Sequence, residues 1–389
     1  MRIAFVNQRY GTEVNGGSEA YTRVMAEHMT KYYDVEVLTT QAKDYISWKN
    51  EYTSREEVIN GVTVRRFPVK HERTHRRFLW ASRFVRFLHC NLTERIWVEE
   101  QGPYVPELIQ YLEENAAQYD VIVFATYLYY TSVMGIPKVR DKAVLIPTAH
   151  DESYIYFNCY KKIFHDIRGV IYLTPEEKEL VHKIFHNEEV PSAVIGMGID
   201  APEQVEYQDF LDKYDIRGDY YVYAGRVDSS KGCGELFAYF EKYVEKNPNA
   251  QLVVIGKVCM EMPKIERMKV LGFVSDEEKY QAIAGAKALI LPSPFESLSI
   301  VVLEAMKMGV PVLVNGACEV LKGHCIRSNG GGVYYTNYEE FEAGLRMIED
   351  AASEDMKAKA KAYVDQYFAW EKVEREFKDF LDVVAGKTT

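Results

Sequence analysis

Two glutamates, Glu296 and Glu304, lie eight residues apart in a stretch that predicts a strand, a loop, a helix and a second strand. A helix rises about 1.5 Å per residue, so at most about 12 Å of helix axis separates the two carboxylates. Roughly that distance separates the two sugars of a sugar nucleotide across its diphosphate. Carboxylates accept charge-assisted hydrogen bonds from hydroxyl groups, so the pair could hold a sugar ring at each end. The alternative is two ordinary surface glutamates beside a helix.

The segment around the first glutamate predicts a site for an anion. Positions 288–291 form an apolar run typical of a strand buried on both faces, and prolines end that strand. Ser297 or Ser299 can then cap a helix that continues to about Met308. Unpaired backbone N–H groups at a helix N-terminus attract phosphate. Here those groups would belong to Leu298, Ser299 and Ile300.

A second candidate element is a loop with two cations, Arg226 and Lys231, which follows a predicted strand at 220–224. The guanidinium of an arginine can grip a phosphate with two parallel hydrogen bonds, and a lysine adds a point charge. The loop is therefore suited to a diphosphate. Solvated side chains on an exposed loop are the alternative interpretation.

The two patterns resemble the signatures of retaining glycosyltransferases with the GT-B fold, and they are most similar to glycosyltransferase family 4. One pattern is Glu296, seven residues and Glu304, with Gly-Val-Pro-Val behind it. The other is Gly-Arg226, four residues and Lys231-Gly. In that family the first glutamate contacts the donor sugar and the second contacts the nucleotide ribose. The arginine and the lysine stand at positions that bind the diphosphate.

The resemblance also implies further residues of the donor site. The family uses a glycine pair after the first strand, a histidine at a later strand end, and backbone groups that read the base. Considered alone, the glycine pair predicts only a tight turn, and a lone histidine is more often structural. The sequence departs from the family pattern at Ser297 and Ser299, where glycine is common. The implied positions are Gly16 and Gly17 for the diphosphate, His150 for the donor sugar, and Gly256, Phe273 and Val274 for the base.

Strands, among them 121–125 and 143–146, alternate with helices along the chain, which is typical of parallel, doubly wound α/β domains. Residues 58–64 predict a hairpin with an Asn-Gly turn, and Ser275 or Asp276 can cap a later helix. We expect two Rossmann-like domains that face each other across a cleft, as the GT-B resemblance implies. Residues 1–200 would form an N-terminal, acceptor-side domain, and residues 201–368 a C-terminal domain that binds the sugar nucleotide. Residues 369–389 would form a C-terminal helix that returns to the N-terminal domain.

A basic stretch stands out in a chain whose net charge is −11. Residues 65–95 hold nine Lys or Arg against two Glu, a local charge of +7, with aromatic residues between them. Basic and apolar residues do not separate on a helical wheel, so a simple amphipathic membrane helix is not indicated. We hypothesise that the stretch faces an anionic acceptor or an anionic membrane surface; a solvated or internally paired face is the alternative. Nothing else in this acidic chain supports nucleic-acid binding. The residues assigned to this surface are Arg73, Arg76, Arg77, Trp80 and Arg83.

Other features of the sequence indicate whether a metal or cofactor is expected and in which cellular compartment the protein works. Six cysteines without a Cys-x-x-Cys pair are typical of reduced cytoplasmic thiols rather than a metal site. No Asp-x-Asp pair is present to hold Mg²⁺ or Mn²⁺ on a diphosphate. The chain enters a strand directly after Met1 and has no membrane-length apolar run, so we expect a cytoplasmic protein, with a peripheral place on the inner face of the plasma membrane. No cofactor is expected.

These observations predict transfer of a glycosyl group from a nucleoside-diphosphate sugar to an acceptor hydroxyl, with retention and without a metal. The acceptor would be a growing surface glycan or its lipid carrier, as in polysaccharide biosynthesis, and UDP is preferred over GDP. His150, Arg226, Lys231 and Glu296 are expected to act in the reaction. One alternative is a sugar-nucleotide epimerase on the same fold. Another is a binding subunit that has lost catalysis.

Overall fold

The structure is a computed structural model that describes residues 1–14, 16–350 and 354–387. The chain forms two compact units, residues 1–197 with 373–389, and residues 198–372. The units divide after Met197 and after Lys372, whereas the sequence analysis places its divisions after residues 200 and 368. Both units have a sheet with helices packed on it, and each is described below by itself.

The first unit is built on an eight-stranded sheet with the order β3-β4-β2-β1-β5-β6-β7-β8. All neighbouring strands are parallel except β3 and β4, which form an antiparallel hairpin. Asn60 and Gly61 have positive φ at the tip of that hairpin, so the Asn-Gly turn predicted from the sequence is confirmed. The strands are β1 Arg2–Val6, β2 Asp34–Thr40, β3 Glu56–Ile59, β4 Val62–Phe67, β5 Val121–Ala125, β6 Ala143–Ile146, β7 Gly169–Tyr172 and β8 Ser192–Val194.

Helices cover both faces of this sheet, which explains why β5, β6 and β7 are continuous apolar runs with every residue buried. Two of the helices, α2 and α3, lie in the basic stretch, for which the sequence predicted no element. The helices are α1 Gly17–Met29, α2 His75–Phe87, α3 Asn91–Gln101, α4 Pro106–Asn115, α5 Tyr130–Val139, α6 Asn158–His165 and α7 Pro175–Phe185.

The second unit has a six-stranded, fully parallel sheet with the order β11-β10-β9-β12-β13-β14. This is the doubly wound order 3-2-1-4-5-6, which reverses between the first and fourth strands. Its strands are β9 Tyr220–Ala224, β10 Gln251–Ile255, β11 Met268–Gly272, β12 Leu289–Leu291, β13 Val312–Asn315 and β14 Val333–Tyr335. Its helices are α8 Gln208–Lys213, α9 Cys233–Lys246, α10 Asp276–Ala284, α11 Ile300–Lys307, α12 Glu319–Arg327, α13 Tyr338–Asp350 and α14 Glu354–Tyr367.

The last helix, α15 Trp370–Val384, packs mostly in the first unit. Phe377 stacks on Phe5 of β1, with ring centroids 6.2 Å apart. On the same helix the carboxylate of Glu374 accepts hydrogen bonds from Lys31 at 2.5 Å and from the Tyr32 hydroxyl at 2.8 Å. Burial alone would raise the pKa of Glu374, but these bonds and one with His28 lower it to about 2. The packing of Phe377 and the ionised carboxylate of Glu374 therefore both hold this helix on the first unit.

Candidate donor site in the second unit

The loops after β9 and β12 lie at the point where the strand order of the second sheet reverses, which is where doubly wound sheets bind ligands. Glycines allow these loops to approach each other. Gly232 has φ +73°, and a Cβ there would overlap the carbonyl oxygen of Pro292. Gly256, at the end of β10, has φ +131°, and a Cβ there would overlap the carbonyl oxygen of Gly225. Larger residues at these two positions would force the loops apart.

This approach brings together two residues that the sequence analysis assigned to different parts of the donor. Lys231 Nζ donates to Glu296 Oε1 at 2.6 Å. Lys231 ends a short 3-10 turn at Ser229–Lys231, and Glu296 lies in the loop before α11. Their side chains are 30% and 15% exposed, so the ion pair is partly withdrawn from water.

Asp228 organises the cations of the same loop, and the sequence analysis did not identify it. Its carboxylate is paired with the Nε of Arg226 and accepts the Lys231 backbone N–H at 2.9 Å and the Ser230 hydroxyl at 2.7 Å. Although burial would raise the pKa of Asp228, the hydrogen bonds from Ser230 and Arg226 lower it. The ionised Asp228 therefore orients Arg226 and caps the turn that carries Lys231. An Asp three residues before Lys231 is a capping signal that the sequence does contain.

The N-terminus of α11 has a geometry that the sequence analysis predicted wrongly in one respect. Ser299 stands at the N-cap, but its side chain makes no capping hydrogen bond, and Ile300 begins the helix. The reason is its left-handed backbone, with φ 63° and ψ 71°, because a capping serine normally has an extended backbone. Its Oγ is buried and has no hydrogen-bond partner. A left-handed conformation favours glycine, the residue common here in the resembling family.

His324 of α12 fixes the peptide that precedes this N-cap. Its Nε2 lies 2.8 Å from the carbonyl oxygen of Leu298, and its Nδ1 lies 2.8 Å from the Tyr363 hydroxyl. Burial lowers the pKa of His324 to about 3, so the ring is neutral. A carbonyl can only accept, so Nε2 carries the hydrogen and Nδ1 accepts from the tyrosine. The backbone at the start of α11 is thus anchored by a fully buried, neutral side chain.

Glu304 lies on α11 and is almost completely buried. Its Oε1 accepts from Lys279 Nζ at 2.8 Å and from the Tyr280 hydroxyl at 3.0 Å. Both partners come from α10. Burial and then the neighbouring Glu304 charge raise the pKa of Tyr280 well above its usual value, so its hydroxyl remains a donor. Neither partner carries a local sequence signal, because each meets Glu304 only through the packing of α10 on the sheet.

The positions assigned to the base lie at the same edge of this sheet. Gly256 follows β10, and Phe273 and Val274 follow β11. The phenyl ring of Phe273 is 70% exposed. Just beyond it, Ser275 caps α10 in a capping box with Glu278, which confirms the predicted helix start. The loop is therefore fixed at one end and presents an exposed aromatic ring.

Candidate residues in the first unit

His150 lies in the loop after β6, where the sequence analysis expected it. Its Nε2 is 3.6 Å from Glu152 Oε1, and that carboxylate also accepts from the Tyr127 hydroxyl at 2.7 Å. The side chain of His150 is 33% exposed. Thr148 and Thr126, in the loops after β6 and β5, both have positive φ, at 50° and 71°. Strained residues of this kind cluster near functional sites.

Glu177 holds the loop that carries His150. Its fully buried carboxylate accepts the backbone N–H of Ala149 at 2.6 Å and that of Leu173 at 2.6 Å. The loops after β6 and β7 are therefore tied together. Burial raises the pKa of Glu177 to about 8, against the opposing effect of the two backbone hydrogen bonds.

The glycine pair lies at the start of α1. Asn15, which precedes it, is outside the described residues. A Cβ on Gly16 would overlap the carboxylate of Glu19, whereas a Cβ on Gly17 would meet open space. Glu19 is buried and its Oε1 accepts from Arg9 Nη2 at 2.5 Å. Close packing thus explains one of the two glycines.

The basic stretch divides into internal and exposed residues. Arg73 points inward and donates to the carbonyl oxygens of Tyr45 and Ile46, each at 2.7 Å, so its assignment to a binding surface was wrong. Arg77 is paired with Glu100. The side chain of Arg77 is nevertheless 52% exposed, so four of the five assigned residues, Arg76, Arg77, Trp80 and Arg83, stay candidates for the hypothesised surface.

Helix α2 presents three of these four residues, Arg76, Trp80 and Arg83, on one face. Arg76, Trp80, Arg83 and Phe87 follow one another at helical spacing, and Trp80 and Phe87 are 57% and 91% exposed. The opposite face buries Ala81, Ser82 and Val85. The helix is therefore divided into a small buried face and an exposed face that mixes arginine with aromatic rings, a division that the sequence analysis did not find. Phe87 belongs to this surface and was missed.

Within residues 1–14, 16–350 and 354–387, no group of three or more His, Cys, Asp or Glu is arranged to hold a metal ion. Over the same ranges, no helix combines the length and the apolar character needed to cross a membrane.

Comparison with known proteins supports the fold and the reaction class. Residues 211–365 match the family described as Glycosyl transferases group 1. An uncharacterized glycosyltransferase of Methanocaldococcus jannaschii is 25% identical, with 97% of this chain and 96% of the relative covered. Sucrose-phosphate synthase from Thermosynechococcus elongatus has a TM-score of 0.73 at 15% identity, with all of both chains covered. Anabaena Alr3699/HepE, solved with UDP-glucose, has a TM-score of 0.72 at 16% identity, with 98% of this chain and 100% of that chain covered.

The two α/β units and their parallel sheets agree with the architecture of these solved structures, which confirms the predicted GT-B fold. The group 1 match covers most of the second unit, where the Lys231–Glu296 pair lies. The chain is a glycosyltransferase with the GT-B fold.

Proposed function

We propose that this glycosyltransferase moves a sugar from a UDP-sugar to an acceptor hydroxyl, with retention of the anomeric configuration and without a metal ion. The observation that carries the proposal is the meeting of Lys231 and Glu296 at the reversal point of the second sheet. A cation for a diphosphate and a carboxylate for sugar hydroxyls are thereby adjacent. The UDP-glucose complex of a protein with the same fold supports UDP as the nucleotide.

In this proposal the second unit binds each part of the donor with a different chemical group. Arg226 and Lys231 bind the diphosphate, together with backbone N–H groups at the start of α11. Glu304 accepts hydrogen bonds from the ribose, and Glu296 from the transferred sugar. Asp228 and His324 are positioning residues, because each holds a binding group without being assigned a ligand contact.

The reaction needs charge stabilisation more than a protein base. The bond between the anomeric carbon and the phosphate oxygen breaks, and the acceptor oxygen attacks from the same face. The departing phosphate oxygen takes the acceptor proton. Arg226 and Lys231 stabilise the negative charge on the diphosphate, which is the role of fixed cations in such transition states. His150 is assigned to positioning of the donor sugar, and Gly16 and Gly17 to its diphosphate.

The acceptor is proposed to be a lipid-linked glycan at an anionic membrane, as in the synthesis of cell-surface glycans. The exposed face of α2 supports this part of the proposal, because Arg76 and Arg83 complement anionic headgroups and Trp80 and Phe87 can enter the interface. The protein would then work as a peripheral protein on the inner face of the membrane.

The test incubates the protein with UDP-glucose and other UDP- and GDP-sugars in excess EDTA, first without an acceptor. A retaining transferase is expected to release nucleotide slowly and, with an added acceptor, to give an α-linked product from an α-linked donor, read by NMR. An isomerised nucleotide sugar would indicate an epimerase, and no turnover of any donor would indicate an inactive subunit. A β-linked product, or activity that returns only when Mn²⁺ is added, would defeat the proposed mechanism.

A further inference from the structure

The pairing of Lys231 with Glu296 has a consequence for the choice between donor and product. Each group satisfies the other at 2.6 Å in the protein alone. Among the described residues, Lys231 is the one basic side chain within ion-pair distance of Glu296. Two further acidic groups, the Cys318 thiol and the Tyr223 hydroxyl, lie near enough to Glu296 for its negative charge to disfavour their ionisation. Their pKa values are raised, first by burial and then by neighbouring charges that include Glu296, so both groups stay neutral.

A diphosphate and Glu296 compete for the same ammonium group. When Lys231 turns to a phosphate, Glu296 loses its cationic partner. At the same time the negative charge of the diphosphate comes to lie beside the carboxylate. The side chain of Glu296 is only 15% exposed, so water cannot fully replace the lost partner. A transferred sugar brings hydroxyl groups that can donate to the carboxylate, whereas a free nucleoside diphosphate brings none.

We propose that Glu296 makes the site discriminate against the nucleoside diphosphate product. This inference rests on the proposed function. In the intact donor the sugar hydroxyls donate hydrogen bonds to Glu296 in place of Lys231. In the product complex Glu296 remains unpaired next to the diphosphate, which weakens product binding and promotes its release. Glu296 is thus a specificity-determining residue whose effect has opposite signs for the two ligands.

Glu304 provides the contrast within the same unit. Its partners, Lys279 and Tyr280, lie on α10, and neither is assigned to the diphosphate. Binding of the donor or of the product therefore leaves these two hydrogen bonds in place. Because both ligands carry the ribose, Glu304 should favour both of them equally.

Calorimetry with UDP and with UDP-glucose tests the inference on the full chain and on three variants. Glu296→Gln is expected to bind UDP about fivefold more tightly than the wild type, and UDP-glucose more weakly. Glu304→Gln is expected to bind both ligands more weakly. Glu245→Gln, an exposed change near the end of α9, is the matched control and should change neither.

Two outcomes separate the inference from the function on which it rests. If the wild type binds both ligands but Glu296→Gln binds UDP with equal or lower affinity, the inference is wrong and the function stands. If the wild type binds neither UDP nor UDP-glucose, the proposed donor is wrong and the inference falls with it. Glu296→Asp keeps the charge and should leave the affinity for UDP within about twofold, so a large gain there would also overturn the inference.

Discussion

Three carboxylates, one in the first unit and two in the second, differ in the kind of group that donates to them. In the first unit, Glu177 is fully buried and accepts hydrogen bonds from two backbone N–H groups. In the second unit, Glu296 and Glu304 each accept from the ammonium group of a lysine. A backbone N–H is fixed in place, whereas a lysine side chain can turn to another anion. Glu177, which ties two loops together, therefore differs from Glu296 and Glu304, which are suited to meet a ligand, in the kind of group that donates to it.

The largest effect should come from the cations of the second unit. Lys231→Ala and Arg226→Ala should each lower the rate of glycosyl transfer about 10²–10³-fold, since removal of one group that stabilises transition-state charge typically has that effect. The measurement is kcat with UDP-glucose and a suitable acceptor, alongside the melting temperature.

Lys287→Ala is the matched control for these variants. Lys287 pairs with Asp219 at 3.0 Å, before β12 and β9, and so at the opposite edge of the same sheet. Its loss should leave the rate nearly unchanged. Equal losses of rate in Lys287→Ala and Lys231→Ala would show that the rate reports general stability. The comparison between the two units would then say nothing about function.

The next effect concerns stability rather than rate. Glu177→Ala should lower the free energy of unfolding by about 2–3 kcal/mol, because it leaves the N–H groups of Ala149 and Leu173 buried without an acceptor. Urea unfolding followed by circular dichroism measures this change. Glu179→Ala, an exposed change on the same helix, should alter stability by less than about 0.5 kcal/mol. Similar stabilities of the two variants would refute a structural role for Glu177.

The dependence of stability on pH should separate Glu177 from the other carboxylates. Its pKa is about 8 in the folded chain, above the ordinary value of 4.5, because of burial. Between those values the folded chain binds the extra proton, so stability is complete below about pH 4.5 and falls as pH rises toward 8. The expected slope is at most about 1.4 kcal/mol per pH unit.

Urea unfolding of the wild type and of Glu177→Gln across pH 5–8 measures this slope. The contribution of Glu177 to the slope should be absent from the curve of the variant, so the difference between the two curves should fall as pH rises. A wild-type stability that rises with pH over this range, with no difference from the variant, would mean that the two backbone hydrogen bonds keep Glu177 ionised.

The smallest effect concerns the surface of α2. Replacing Arg76 and Arg83 by Ala should weaken binding to anionic liposomes by about 1 kcal/mol per residue, while UDP affinity stays the same. Flotation with liposomes of mixed neutral and anionic lipid measures the change. Arg73→Ala is a useful contrast, because its side chain is bound to the carbonyl oxygens of Tyr45 and Ile46 and should act through stability. Unchanged flotation of the double variant would reject the membrane surface.

Local patterns were sufficient to predict most of the fold. Apolar runs at 121–125, 143–146 and 220–224 gave the strands that the structure contains at the same residues, and the Asn-Gly turn and the Ser275 cap were found where expected. These features depend on residues a few positions apart. The meeting of Lys231 with Glu296 was implied only through the family resemblance, because 65 residues separate them.

Features that depend on distant packing were not predictable in the same way. Nothing near Glu304 identifies Lys279 or Tyr280, and nothing near His150 identifies Glu177. The inward direction of Arg73 follows from the loop at 45–46, which the sequence did not place. Ser297 or Ser299 was expected to cap α11; Ser299 stands at the N-cap, but with its left-handed backbone its hydroxyl makes no capping hydrogen bond.

The position of Trp80 gives the molecule an optical property. The chain has four tryptophans, and Trp48 and Trp97 are buried, at 1% and 0% exposure. Trp370 donates its indole N–H to Asp200 at 2.7 Å, whereas Trp80 is 57% exposed on α2. Indole emission shifts to shorter wavelength when the ring leaves water, and dissolved quenchers reach exposed rings first. Intrinsic fluorescence should therefore report what covers this one helix, without an added dye, while the buried indoles provide a constant background.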